Sequence, residues 1–170
     1  LLTGNIQLNE YSNVKAINKA ASDRTGSTTL FLTGLDNGRH STYQHGLPES
    51  GSVEVETTTV DDFLESEGWP QVDLVKIDVE GHEEPLLHGA VETLSKSNAS
   101  VYIEIEERHN PGGLNRIIEW FASLGYTDIQ YRQYGAMHPF AEFNLERDQL
   151  NRQPRNPSYA NNFLFKRPQR

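Results

Sequence analysis

No cysteine occurs among the 170 residues of this chain. That absence excludes a disulfide framework and any zinc site built on thiolates. Basic residues are scarce as well: 15 Lys and Arg stand against 24 Asp and Glu, for a net charge of −9. A nucleic-acid partner is therefore not expected, because such partners are held mainly by Lys and Arg neutralising phosphates. No apolar run approaches the length of a membrane span, so no membrane segment is expected. Apolar residues make up 35% of the chain, below the usual range, and loop-rich ends account for the deficit. The length suits one domain with a real core and is short for two.

What is present concentrates in one run, Val72 to Ala90, VDLVKIDVEGHEEPLLHGA. Val72 to Val79 has the length and β-branched character of a buried parallel strand, and it carries Lys76 and Asp78. Glu80 and Gly81 break it. A helix is expected at once, with Glu83 and Glu84 in the first turn, where carboxylates suit the positive end of the helix dipole. Pro85 is tolerated there, because early helix N–H groups lack an intrahelical partner anyway. Leu86, Leu87, Ala90, Val91 and Leu94 fall on one face. A strand that ends in carboxylates and turns into a helix is how open α/β sheets present polar groups to a ligand.

The remaining pattern alternates strands and helices, as a parallel α/β sheet does. Strands are expected at Val14–Asn18, Ser27–Leu32, Val53–Thr59, Ser100–Ile105, Tyr126–Tyr131 and Asn162–Phe165. Asp61–Glu67 reads as a short helix with Thr59 as N-cap. In Pro111–Leu124, Leu114, Ile117, Ile118, Phe121 and Leu124 form one stripe closed by Gly125. Leu35–Ser52 reads as a loop, and residues 135–157 as a long loop or insertion without a steady period.

The central run resembles the K-x-D-x-E-G-x-E signature of FkbM-type methyltransferases, which use S-adenosylmethionine (SAM). Lys76, Asp78, Glu80, Gly81 and Glu83 match it, and Gly89-Ala90 matches the glycine-alanine close of the following helix. Val53–Phe63, VEVETTTVDDF, resembles the strand and threonine-leucine-aspartate-aspartate entry that precedes the signature, with Val60 for the leucine. Val14–Gly26 resembles the family's third strand and its alanine-serine-aspartate turn, and Ala160–Phe165 its last strand. The resemblance implies a Rossmann-like class I methyltransferase sheet, mostly parallel with an antiparallel last strand. Residues 1–170 would form a partial domain lacking its first two strands and their glycine-rich cofactor loop. The start, Leu1-Leu2-Thr3-Gly4-Asn5, reads in the same way, as the middle of a longer chain, with Ile6–Tyr11 finishing a helix.

Several residues can carry chemistry. Asp78 and Glu80, two apart at a strand end, would share a face in regular strand geometry. So close a pair raises at least one pKa, which suits a general base toward a hydroxyl. An ionic network in which Lys76 neutralises one carboxylate and Glu83 caps the helix explains the same letters. Glu104 and Glu106 would share a face at the end of the Ser100 strand, with Arg108 neutralising one of them. A solvated charged strand end explains Glu107, Arg108 and His109. Arg39 and His40 lie in a small-residue loop that the family places near the site mouth, although a plain exposed turn is favoured there.

The resemblance implies SAM as methyl donor and a hydroxyl acceptor on a sugar or natural product. It places Asp78, Glu80 and Glu104 in the active site and Ala21, Ser22 and Asp23 beside the adenine. Two other readings stay open. One is a metal-dependent hydrolase using Asp78, Glu80, His82, Glu104 and His109, oxygen and imidazole donors that suit a hard cation. The other is a non-catalytic binding module on the same fold.

Overall fold

The computed structural model describes residues 2–33 and 49–168. Arg39, His40 and most of the loop expected over Leu35–Ser52 lie outside the described residues. Helix α1 (Leu2–Leu8) buries none of its residues. The chain then runs irregularly through Val14–Asn18 to β1 (Ala20–Ala21). The strand expected at Val14–Asn18 is therefore absent: among the described residues no neighbour completes a ladder there, and Val14 and Ile17 are exposed. A small sheet in the order β1-β3-β2 joins β1, β2 (Gly26–Thr33) and β3 (Glu49–Thr58). β1 lies parallel to β3, and β2 runs antiparallel to it.

Helix α2 (Val60–Ser66) starts on Thr59, whose hydroxyl accepts the Asp62 N–H at 2.8 Å, as expected of an N-cap. Strand β4 (Leu74–Ile77) leads into α3 (Glu83–His88), α4 (Val91–Lys96) and β5 (Ser100–Glu104). The apolar face runs on from Leu86 through Leu94, while the family resemblance closes the helix at Gly89-Ala90, and the chain does break there. Glycine is required at this break by a close approach. A β-carbon at Gly89 would lie 2.0 Å from the Ser22 carbonyl oxygen. Asp61 then restarts the helix, its carboxylate accepting the N–H groups of Glu92 at 2.9 Å and Thr93 at 2.8 Å.

Helix α5 (Gly113–Ser123) follows, then β6 (Asp128–Gln133), β7 (Ala136–Pro139) and β8 (Asn162–Lys166). The main sheet has the order β4-β5-β8-β6-β7. β4 and β5 are parallel, and β8 runs antiparallel to both β5 and β6. The antiparallel last strand is as expected. β7 is an addition, formed by a tight hairpin whose two turn residues, Tyr134 and Gly135, both have positive φ. It belongs to the segment expected as a loop over 135–157, which also holds a 3-10 turn (Phe140–Glu142) and a π-helical turn (Glu146–Leu150). Asp148 and Gln149 in that turn are buried. Gln149 donates to the carbonyls of Ile105 at 2.9 Å and Ala160 at 2.8 Å, and accepts the Glu107 N–H at 3.1 Å. Three backbone groups beyond the ladder are satisfied by one side chain, which is why an irregular sequence holds a fixed place.

Alternation gives the main sheet two unlike faces. Ile77, Val101, Ile103, Phe163, Phe165 and Tyr131 pack with Leu86, Leu87, Leu94, Leu114, Ile117 and Phe121 from α3, α4 and α5. The opposite face shows Lys76, Tyr102, Glu104, Asn162, Gln130 and Arg132. Among the described residues β4 is thus an edge strand with one open face, and Leu74 is 62% exposed, where the sequence suggests a buried strand.

Candidate functional site

The carboxylates gather at one sheet edge because of strand direction. β4 and β5 run parallel with Ile77 opposite Ile103, so one residue further places Asp78 beside Glu104. β8 begins at the same edge, with Asn162 opposite Glu104. Lys76 Nζ lies 3.4 Å from Asp78 Oδ2 and 5.6 Å from the Tyr102 ring centre. Lys76 is therefore the expected partner of Asp78.

Beyond Ile77 the chain leaves strand geometry, so Asp78 and Glu80 do not share a strand face. Glu80 (φ 47°) and Gly81 (φ 92°) both adopt left-handed backbone. That conformation is disfavoured for a glutamate and is held only where surrounding contacts enforce it. Here Glu83, itself buried, accepts the Gly81 N–H at 2.8 Å, and His109 Nδ1 lies 3.3 Å from Glu80 Oε2. Burial pushes the Glu83 carboxyl up, with the charges of Glu80 and Glu106 adding to the rise against the N–H groups of Gly81 and Glu83 itself.

Glu106 is the hub. It is buried, and its carboxylate meets Arg108 Nε, Asn161 Nδ2 at 2.8 Å and His109 Nδ1 at 3.6 Å. Tyr159 is pushed up to about 12, chiefly by burial and then by the Glu106 charge, and its hydroxyl bonds Glu106. His109 thus belongs to the cluster rather than to a solvated strand end, because the chain has already turned there: its N–H bonds the Glu106 carbonyl at 3.0 Å. Glu107 also departs from the solvated reading. It is buried and accepts the N–H groups of Gly112 at 2.6 Å and Leu114 at 3.0 Å, holding the start of α5.

Glu104 has the chemistry a base needs. Its carboxyl is pushed up to about 7, first by burial, then by the charges of Asp78, Glu106 and Glu80, against the opposing Lys76. Asn161 donates to Glu104 Oε1 at 2.8 Å from the same nitrogen that serves Glu106, and Asn162 Nδ2 donates to Asn161 Oδ1 at 2.8 Å. The raised pKa thus stands on Glu104, where burial and three neighbouring carboxylates meet.

The second group of expected residues joins this cluster through the same turn. Ala21 is held in the β1 ladder opposite Thr58. Ser22 is buried; its hydroxyl donates to Asp23 Oδ1 at 3.1 Å and lies 3.0 Å from His82 Nε2. With the hydroxyl proton given to Asp23, the contact assigns the Nε2–H tautomer to His82. Burial lowers the His82 pKa, against the pull of Asp23, so the ring is neutral near pH 7. His82 and Glu80 lie in one tight turn, with Ser22 and Asp23 on the side of His82 and Glu104 and Glu106 on the side of Glu80.

Sequence reasoning missed Asn161, Tyr159 and the buried role of Glu106. The Asn161-Asn162 pair at the start of the last strand was the available signal, since side-chain amides at a sheet edge are placed to satisfy charges. Among the described residues, no group of three or more His, Asp and Glu side chains is arranged to hold a metal ion. The hydrolase reading thus lacks a metal centre among those residues.

Residues 3–127 match the family described as the methyltransferase FkbM domain. Over 74 residues the chain is 32% identical to the hexuronic acid methyltransferase AglP of Haloferax volcanii, covering 44% of this chain and 30% of that relative. The crystal structure of methyltransferase FkbM from Methylobacillus flagellatus KT superposes with a TM-score of 0.58 at 15% identity, covering 96% of this chain and 32% of that one. The chain spans about a third of the length of each. The superposition shows a shared α/β fold with mixed sheets, and the family match spans most of the chain, which therefore belongs to the FkbM methyltransferase family.

Proposed function

We propose that residues 1–170 are part of a Rossmann-like class I methyltransferase domain that uses SAM to methylate a hydroxyl on a sugar or related natural product. One observation carries the reading: Glu104, at the carboxyl edge of the parallel β4–β5 pair, has its carboxyl pushed up to about 7. Ligands of open α/β sheets bind at this edge. A base whose pKa lies near the working pH combines the correct protonation state with driving force for proton removal. The name of AglP, a hexuronic acid methyltransferase, supports a sugar acceptor.

The donor fits what the chain supplies. Asp23 is exposed and presents a carboxylate acceptor to an exocyclic amine, oriented by the Ser22 hydroxyl. Ala21, Ser22 and Asp23 would therefore hold the adenine end. When bound, SAM supplies an electrophilic methyl group on a sulfonium. Glu104 accepts the hydroxyl proton as the acceptor oxygen attacks. Asp78 and Glu80 line the site and keep Glu104 from ionising early. Asn161 fixes the Glu104 carboxylate in place.

The test is a calorimetric titration of S-adenosylhomocysteine into the full protein, followed by transfer of labelled methyl to a panel of glycosides. Saturable binding with transfer that collapses in Glu104→Gln is the expected result. Binding without transfer to any glycoside would instead favour a non-catalytic module. No binding by the folded protein would overturn the reading.

A further inference from the structure

The carboxylate edge continues sideways into an unassigned cavity. Glu104 faces Asn162 on β8, and Asn162 in turn faces Arg132 on β6. Register partners project to the same face, so the three side chains form one row across three strands. Two strand spacings put Arg132 and Glu104 about 10 Å apart at their α-carbons. Beside Arg132 and Asn162 lies a cavity of about 370 Å³, lined by Arg132, Tyr134, Tyr159, Asn161 and Asn162. That size falls within the range of small-molecule sites.

We infer that this cavity is the acceptor subsite and that Arg132 selects a sugar bearing a carboxylate. The inference rests on the reading of Glu104 as the base. Arg132 is exposed, and its guanidinium meets the Tyr102 hydroxyl. A guanidinium offers a planar fork of donors matched to a carboxylate. Such a group would offset the charge of the neighbouring carboxylates for an anionic acceptor. Asp78, Glu80, Glu104 and Glu106 crowd one end of the row, and an anionic acceptor entering that field unaided would be repelled. Arg132 at the other end orients the sugar with its carboxylate away from those charges and a hydroxyl toward Glu104. Tyr134, 67% exposed on the β6–β7 hairpin, offers a ring on which the apolar face of a pyranose can lie. Asn161 and Asn162 supply amide groups for ring hydroxyls.

The experiment titrates methyl β-D-glucuronoside and methyl β-D-glucoside into the full protein, with S-adenosylhomocysteine binding measured in parallel. The glucuronoside should bind at least about ten-fold more tightly, as expected of a charge-assisted bidentate contact. Arg132→Gln should erase the preference while leaving S-adenosylhomocysteine affinity unchanged, and Arg132→Lys should keep part of it. Equal affinity for the two sugars, binding of neither, or a preference that survives in Arg132→Gln would overturn the inference. Those results alongside intact cofactor binding and methyl transfer would sink the subsite alone. Loss of cofactor binding and transfer in the unaltered protein would sink the underlying reading of the site instead.

Discussion

Asn161 donates its side-chain amide to Glu104 Oε1 at 2.8 Å, and the same nitrogen serves Glu106. A donor to the ionised form lowers a carboxyl pKa, so Asn161 opposes the rise that burial imposes on Glu104. Asn161→Ala should shift the rate-controlling ionisation of Glu104 to higher pH. It should also destabilise the protein by about 1–3 kcal/mol, since Glu106 is left buried with one partner fewer. A pH–rate profile that does not move would show that Asn161 does not position Glu104.

Glu104→Gln makes a paired prediction on rate and stability. As general base, Glu104 should give kcat/KM an ascending limb near pH 7, and the variant should lose that limb along with a hundred-fold or more of rate. The folded pKa lies above the ordinary carboxyl value of 4.5, so the folded state holds the extra proton between 4.5 and about 7. Stability therefore falls as pH rises through that window, and the loss is complete above it. The glutamine variant should gain on the order of 1 kcal/mol at pH 8 and little at pH 4, the gain being limited because the group is half open to solvent. Urea unfolding at the two pH values measures this directly.

Gly89→Ala should destabilise the protein by about 3 kcal/mol or more, through overpacking against backbone that has no rotamer to yield. The backbone at Gly89 is ordinary, with φ −81°, so the cost comes from the Ser22 carbonyl oxygen standing 2.0 Å from the new β-carbon. Thermal unfolding that matches the unaltered protein would refute this close approach.

Asp61→Ala should cost about 1–2 kcal/mol, the range for loss of a helix cap. The Asp61 carboxylate serves the N–H groups of Glu92 and Thr93 and the Thr93 hydroxyl, at 2.9, 2.8 and 2.6 Å. Asp61→Asn should recover part of the loss. Denaturant midpoints of the two variants test the order.

If Asp23 holds the adenine as proposed, Asp23→Asn should weaken S-adenosylhomocysteine binding about ten-fold, because a charged acceptor becomes a neutral one. Turnover at saturating donor should change little, since Asp23 faces His82 rather than Glu104. A fall in kcat with unchanged donor affinity would place Asp23 elsewhere in the chemistry.

How much of this was legible beforehand varies with the range of the interactions involved. The signature run, the N-cap at Thr59, the stripe of α5 and the antiparallel last strand all rest on contacts within a few residues or on simple alternation, and all are found. The strand expected at Val14–Asn18 failed because apolar β-branched residues do not make a strand without a partner. The close of α3 at Gly89-Ala90 was legible from the family resemblance, but the reason position 89 takes no side chain, the Ser22 carbonyl far away in sequence, was not. Glu107 looked solvated because nothing in its neighbourhood announces that α5 will begin against its carboxylate.

The sequence by itself determined the carboxylate-rich turn at Asp78–Glu83, the family to which it belongs, and the chemical types available at the sheet edge. Those follow from residue identity and local backbone preference. Only the tertiary structure decided which carboxylate holds a proton near neutrality. That choice depends on burial and on charges brought from Asp78, Glu80 and Glu106 by strand register and turn, and it fell on Glu104. It also decided that Glu104, Asn162 and Arg132 stand in the same row, because a strand late in the chain lies between β5 and β6. A pKa and a row of side chains across three strands are properties of distance in space, which spacing along a chain does not carry.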